Sequence, residues 1–230
     1  GILIEPIQGY SGFVVPPQKY MRGLALLCRD LNLLLIDDEV LLNIGRTGRM
    51  FSIEHFDVKP DIMALGKALG FGFPLAGILM THEIAEDLTL CDQLESLGMY
   101  GHSGNPAICA ASTKGIEIIL KENLMHHATK VGAILKNRLR DIASEYELIG
   151  DVRGKGLAIA MEFVSNTKLK TPAKEEAKRF VYYASKMGLL LSRTGSHRHI
   201  VRITPPLNVT EQAMYQALDI IGRALKKITK

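Results

Sequence analysis

Apolar residues run without polar alternation through Leu33-Leu34-Leu35-Ile36 and stop on Asp37-Asp38-Glu39, and a second run, Ile62-Met63-Ala64-Leu65, stops on Gly66-Lys67. Unbroken apolar runs of this length point to strands buried on both faces, which belong to parallel sheets covered by helices. Residues 2–4 and 75–80 supply two more such strands. Between the first two strands, Tyr20, Leu24, Leu27 and Cys28 recur at helical spacing over residues 17–30, with a proline suited to the first turn. Asn105-Pro106 reads as a helix start, a capping residue followed by proline, and Ile108, Ala111, Ile116, Ile119 and Leu120 carry the helix on.

After about Glu122 the texture changes, and the pattern predicts a domain boundary there, dividing the chain into 1–122 and 123–230. A long polar-apolar helix is expected over residues 125–146, followed by glycine-rich turns around Gly150, Gly154 and Gly156. Strand and helix then alternate: a strand at 157–163, a helix at 173–187 closed by Gly188, and strands at 189–191 and 200–204. Thr210 is the expected cap of a last helix that carries Met214, Leu218, Ile221, Leu225 and Ile228 on one stripe. The expected fold class is α/β.

Composition narrows the classes of function. With 230 residues, 47% hydrophobic and 23% charged, the chain can bury a substantial core, and disorder is not a reasonable reading. Its apolar stretches fall short of the ~20 residues needed to cross a bilayer, and no basic-then-apolar segment opens the sequence. We therefore expect a cytoplasmic protein without a membrane partner. Cys28, Cys91 and Cys109 are odd in number and lack Cys-x-x-Cys spacing, so neither a disulfide framework nor a zinc knuckle is encoded. The net charge of +4 is scattered, whereas nucleic-acid binding calls for a concentrated basic face. His197 and His199 lack a recognisable third ligand, and no metal site is expected. Gly66-Lys67-Ala68 is missing the flanking residues of a phosphate-binding P-loop, and the glycines of residues 70–74 do not follow the dinucleotide fingerprint.

Ligands of open α/β sheets sit at the carboxyl ends of the strands, which is where the two apolar runs deliver an acid and a lysine. Taken singly, each candidate has a bland reading: a solvated loop lysine for Lys67, a helix-capping aspartate for Asp38, a structural ion pair for Arg202. Their order in the chain changes the weighing. Glu5-Pro6-Ile7-Gln8-Gly9, Pro16-Pro17, Asp38-Glu39-Val40, Gly45-Arg46-Thr47-Gly48, Pro60-Asp61-Ile62, Gly66-Lys67-Ala68-Leu69-Gly70, Gly104-Asn105-Pro106, Asp151-Val152-Arg153-Gly154 and Arg202-Ile203-Thr204-Pro205-Pro206-Leu207 resemble the class III pyridoxal-phosphate aminotransferases. That group includes the 4-aminobutyrate, ornithine and acetylornithine enzymes.

The resemblance implies a fold-type I architecture, with residues 1–122 as the C-terminal half of the large cofactor-binding domain and 123–230 as the small C-terminal domain. It also implies that this sequence corresponds to the C-terminal part of such enzymes. The cofactor would be pyridoxal 5'-phosphate, the partners an amino donor and a 2-oxo acid, and the assembly a homodimer. Lys67 matches the lysine that forms the Schiff base and carries the proton, a task that requires a lowered pKa. Asp38 matches the partner of the ring nitrogen, with Asp37 beside it as the competing carboxylate, and Val40 would pack on the ring face. Arg202 matches the fork that holds the substrate carboxylate.

Four departures accompany the match. Leu41 replaces a glutamine that bonds the cofactor's ring hydroxyl. The segment 101–106 is shorter than the family's by two residues and lacks its phosphate-binding threonine, leaving Ser103 as the partial substitute. Tyr10 stands where many members carry a glutamate that gates the arginine. The family's glycine-serine phosphate loop lies in a part that precedes the matched region. Two further readings therefore stay open: a truncated non-catalytic homologue that retains the dimerising fold, and an aminomutase or racemase on the same scaffold.

Overall fold

The computed structural model describes residues 1–90 and 103–229, so that Cys91, Gly101 and His102 lie outside the described residues. The chain forms two compact units: Gly1–Pro6, Pro16–Ile44 and Arg49–Glu122 make the first, and Ile7–Val15, Gly45–Gly48 and Asn123–Lys230 make the second. Two short segments from the first 122 residues thus belong with the later part of the chain.

The first unit is built on β1 (Ile2–Ile4), β2 (Leu35–Asp38), β3 (Ile62–Leu65) and β4 (Gly77–Met80), hydrogen-bonded in that order. The first three strands are parallel and β4 runs antiparallel to β3. Parallel neighbours need a crossover, and α1 (Gln18–Asp30) provides it between β1 and β2. Strand β2 is displaced from the apolar run. It begins two residues later than expected and takes both aspartates into the ladder, because Asp37 pairs with Ile4 and Met63 while Asp38 pairs with Ala64. Backbone pairing, not side-chain polarity, sets where the strand stops.

Two helix faces also differ from expectation. In α1 the buried line is Met21 and Cys28, while Tyr20 and Leu27 are exposed. The other is the helix that follows β4 and α2 (His82–Leu90), an element that the apolar pattern does not predict. This helix, α3 (Pro106–Lys121), starts at Asn105 as its sequence requires, the Asn105 Oδ1 accepting from the N–H groups of Ala107 (3.1 Å) and Ile108 (3.3 Å). Its buried face, however, is Ser112, Gly115 and Ile119, and Leu120 is exposed. Glycine is required at the middle of this face because a ring lies against it: a Cβ on Gly115 would come within 2.5 Å of Phe71.

The second unit carries α4 (Leu124–Ala143), β5 (Ile149–Lys155), β6 (Ala158–Asn166), β7 (Thr171–Pro172), α5 (Lys174–Lys186), β8 (Ser192–Thr194), β9 (Ile200–Ile203) and α6 (Glu211–Ile228). Its sheet runs β5-β6-β9-β8, with β7 added to β6, and every one of these pairings is antiparallel. The three helices share a core with the sheet that includes Leu135, Leu139, Ile159, Met161, Phe163, Phe180 and Ile221. The glycine-rich stretch expected as turns is mostly strand β5. Gly154 has φ +125°, and a Cβ there would sit 1.9 Å from the Ala158 carbonyl oxygen, so only glycine permits the β5–β6 pair to close. The strand expected at 189–191 is β8, shifted to Ser192–Thr194, since the Leu189 N–H still donates to the Ala184 carbonyl at the end of α5. The α6 stripe is buried as read, and Thr210 Oγ1 caps the helix by accepting from the Ala213 N–H at 3.1 Å.

Candidate active site

At the carboxyl end of β2, alternation separates the two aspartates. Asp37 shares its face with buried Leu35 and is 0% exposed, whereas Asp38 is half-buried on the opposite face. Asp38 Oδ1 accepts from the Val40 N–H at 3.0 Å, which orients the carboxylate as the chain leaves the sheet. The Glu39 N–H donates to the Ala64 carbonyl at 3.0 Å and fixes the end of β2 against β3.

Beyond β3 the chain turns through Lys67–Gly70, a single 3-10 turn that begins with Lys67 itself. Lys67 is exposed and adopts φ +43°, a left-handed conformation that costs a non-glycine residue free energy and is common where function over-determines the backbone. The neighbouring loops support this turn. Val40 lies against Gly66, where a Cβ would approach its Cγ1 to 3.3 Å. Asn43, fully buried, donates through Nδ2 to both the Glu39 carbonyl (2.8 Å) and the Gly66 carbonyl (2.9 Å). From the other side, Ser112 Oγ of α3 donates to the Leu69 carbonyl at 2.7 Å. Asn43 and Ser112 are supports that sequence reading misses, because a single polar residue carries no signal of its partner.

Two buried acids flank the strand end. Glu39 Oε1 accepts from Ser52 Oγ and the Ile53 N–H, each at 2.8 Å, yet burial outweighs these bonds and pushes its carboxyl up to about 7. The Asp37 carboxyl oxygens have no hydrogen-bond partner among the described residues, and burial, with the Glu39 and Asp38 charges behind it, raises the group to about 8.

Ser103 is exposed and lies two residues before the α3 cap. Arg202 belongs to the second unit, on β9, where it pairs with Ala160 and Ser192. Val201 and Ile203 point into the helix-covered core, so Arg202 is on the other face with Ile200. That face is covered at Ile200 by Gly12, whose segment is held firmly. Arg153 Nε donates to the Gly12 carbonyl (2.8 Å) and Nη2 to the Ser11 carbonyl (3.2 Å), while the Tyr10 carbonyl accepts from Thr194 Oγ1 (2.5 Å) and the Gly195 N–H (3.0 Å). Tyr10 itself projects outward, its side chain exposed. Arg153 also bonds Asp151 (3.1 Å) and Glu162, and Glu162 faces His199 Nε2 at 3.5 Å.

The fold thus brings the Asp38 carboxylate to the carboxyl end of one parallel strand and Lys67 to the turn just past the next, the position where open α/β sheets bind ligands. The family model of the class-III aminotransferases matches residues 1–225. The chain belongs to that family. It is 40% identical to an alanine/serine racemase of Pyrococcus horikoshii over 98% of its own length and 46% of the relative's. It is 32% identical to a probable 4-aminobutyrate aminotransferase of Bacillus subtilis, covering 98% of this chain and 50% of that one. An amine transaminase from an uncultivated Pseudomonas species, solved in its PLP-bound form, superposes with a TM-score of 0.90 at 32% identity, covering 98% of this chain and 51% of that one. The chain therefore spans about half the length of the relatives it matches, and its fold is that of their fold-type I architecture.

Proposed function

We propose that this chain carries the cofactor-anchoring and substrate-carboxylate residues of a pyridoxal 5'-phosphate-dependent aminotransferase that moves an amino group from an amino acid or ω-amine to a 2-oxo acid. The observation that carries the reading is the juxtaposition of Asp38, Val40 and the Gly66-Lys67 turn at the carboxyl ends of β2 and β3, tied across by Asn43. The donor set fits the cofactor. Asp38 leaves its second oxygen outside the Val40 bond, Val40 offers an apolar surface beside it, and Lys67 supplies an exposed amine. Leu41 fits less well, since it cannot bond a ring hydroxyl.

When bound, the cofactor supplies an electron sink for charge developing on the substrate carbon. Asp38 would hold a proton on the ring nitrogen; Lys67 would hold the aldehyde at rest and, once displaced, move a proton at the substrate carbon. Arg202 would fix a substrate carboxylate through its planar fork, and Ser103 would approach the phosphate. Residues 1–122 act in this reading as the C-terminal half of the large domain and 123–230 as the small domain. A homodimer in the cytoplasm is the assembly and place that family membership favours.

The test is borohydride reduction of the protein incubated with pyridoxal 5'-phosphate. We expect a covalent label on the peptide containing Lys67 and none in Lys67→Ala; a label elsewhere or no label defeats the assignment. A second reading, amino-acid racemisation, is favoured by the 40% identity to the Pyrococcus horikoshii racemase. It would use the same lysine and aspartate, and product analysis separates the two: inversion of an amino acid without a 2-oxo acid indicates the racemase, and stoichiometric amino transfer indicates the aminotransferase.

A further inference from the structure

Strand β2 carries two acids in succession, and aminotransfer as proposed engages only Asp38. Asp37 is 0% exposed, and neither of its carboxylate oxygens meets a hydrogen-bond donor among the described residues. The flanking strands face it with Ile4 and Met63, which cannot titrate. Among the described residues the charged groups that act on it are Glu39 and Asp38, both acids. An ionised carboxylate in such a place has lost its water, has no donor and meets only like charge, and each of these disfavours the ionised form.

We propose that Asp37 is held as a neutral acid behind Asp38, and that it sets the charge β2 presents to a bound ligand: one carboxylate while Asp37 keeps its proton, two once the proton is lost. Asp37 is thus a positioning residue acting through Asp38, on the opposite face of the same strand. Its neutrality follows from its surroundings in the fold; its consequence for the cofactor rests on the proposed aminotransferase function. Burial first, then the charges of Glu39 and Asp38, move its carboxyl from an ordinary 3.8 to about 8.

The sign of the effect on stability follows from linkage. In the unfolded chain Asp37 ionises near its ordinary value, whereas in the fold it keeps its proton to about 8. Its favourable contribution is complete below the ordinary value, declines as pH rises through that interval, and is gone above about 8. Asp37→Asn cannot ionise, so its melting temperature should gain on the native protein steadily from pH 5 to pH 8 and by no more beyond. Glu39→Gln should show the same trend ending about one pH unit lower, because Glu39 is raised only to about 7.

The direct measurement is carbon-13 NMR of the protein labelled at aspartate carboxyls, with Asp37→Asn and Asp38→Asn used for assignment. The Asp37 resonance should titrate with a midpoint near 8. The Asp38 resonance should show an inflection at that same pH, absent in Asp37→Asn; a purely structural role for Asp37 would not produce this. An Asp37 midpoint below pH 5 would overturn the proposal, and so would an Asp38 resonance indifferent to Asp37. If Asp37→Asn does not fold, the infrared band of protonated carboxyl in Glu39→Gln, which removes the other raised carboxyl, still decides, since it must persist at pH 7 and be nearly gone by pH 9. None of these readouts uses turnover, so failure of Lys67 to capture the cofactor leaves them standing.

Discussion

The turn that presents Lys67 depends on a few hydrogen bonds, with Asn43 at their centre. One amide group joins the Glu39 carbonyl at the end of β2 to the Gly66 carbonyl just before the lysine. Replacing Asn43 with alanine takes one of two donors from each carbonyl, leaving Glu39 with the backbone N–H of residue 43 and Gly66 with that of Leu69, a loss of about 1 kcal/mol. Asn43→Ala should therefore unfold at lower denaturant concentration and label more slowly with cofactor and borohydride, while Asn43→Asp, which sets a buried carboxyl against two carbonyl oxygens, should be destabilised at least as much. Equal labelling rates in the native protein and both variants would show that the Lys67 turn stands without Asn43.

At the scale of elements, the β5–β6 pair is the clamp of the second unit. Arg153, on β5, reaches Glu162 on β6 and the carbonyls of Ser11 and Gly12, so one side chain joins two strands and a distant segment. Its side chain is 16% exposed and that of Glu162 is 19% exposed. Removing the guanidinium strands a largely buried acid, at a cost on the order of 2 kcal/mol, below the ~3–5 typical of a fully buried pair. Arg153→Met should also free the segment of Tyr10: the Gly195 amide, which donates to the Tyr10 carbonyl, should exchange with solvent about tenfold faster or more. Unchanged exchange at Gly195 would mean that Thr194 alone holds Tyr10 in place.

At the scale of the whole molecule, apolar side chains remain exposed on both outer strands of the first sheet. Leu3 on β1 is 63% exposed, and Ile78 and Leu79 on β4 are 63% and 53% exposed. Among the described residues neither β1 nor β4 has a strand on its outer side, and edges of that kind with exposed apolar residues favour further association, in keeping with the homodimer of the proposed function. Sedimentation equilibrium of the purified protein should return twice the mass of a single chain; a monomer at micromolar concentration would remove the dimer from the reading.

Much of the fold is legible in the amino-acid sequence. The apolar runs locate β1 and β3 to the residue, and Asn105-Pro106 and Thr210 mark two helix starts, because strand burial and helix capping are local demands written in adjacent side chains. The ordered motifs point to the family. The partners of those motifs were decided only by folding. Nothing in the sequence tells that Asn43 meets Gly66, that Phe71 rests on Gly115, that Arg153 reaches back to Gly12, or that Asp37 turns to the sealed side of β2 and Asp38 to the open one. Those depend on strand register and on contacts between residues far apart in the chain, and a shift of one residue along β2 would exchange the two acids.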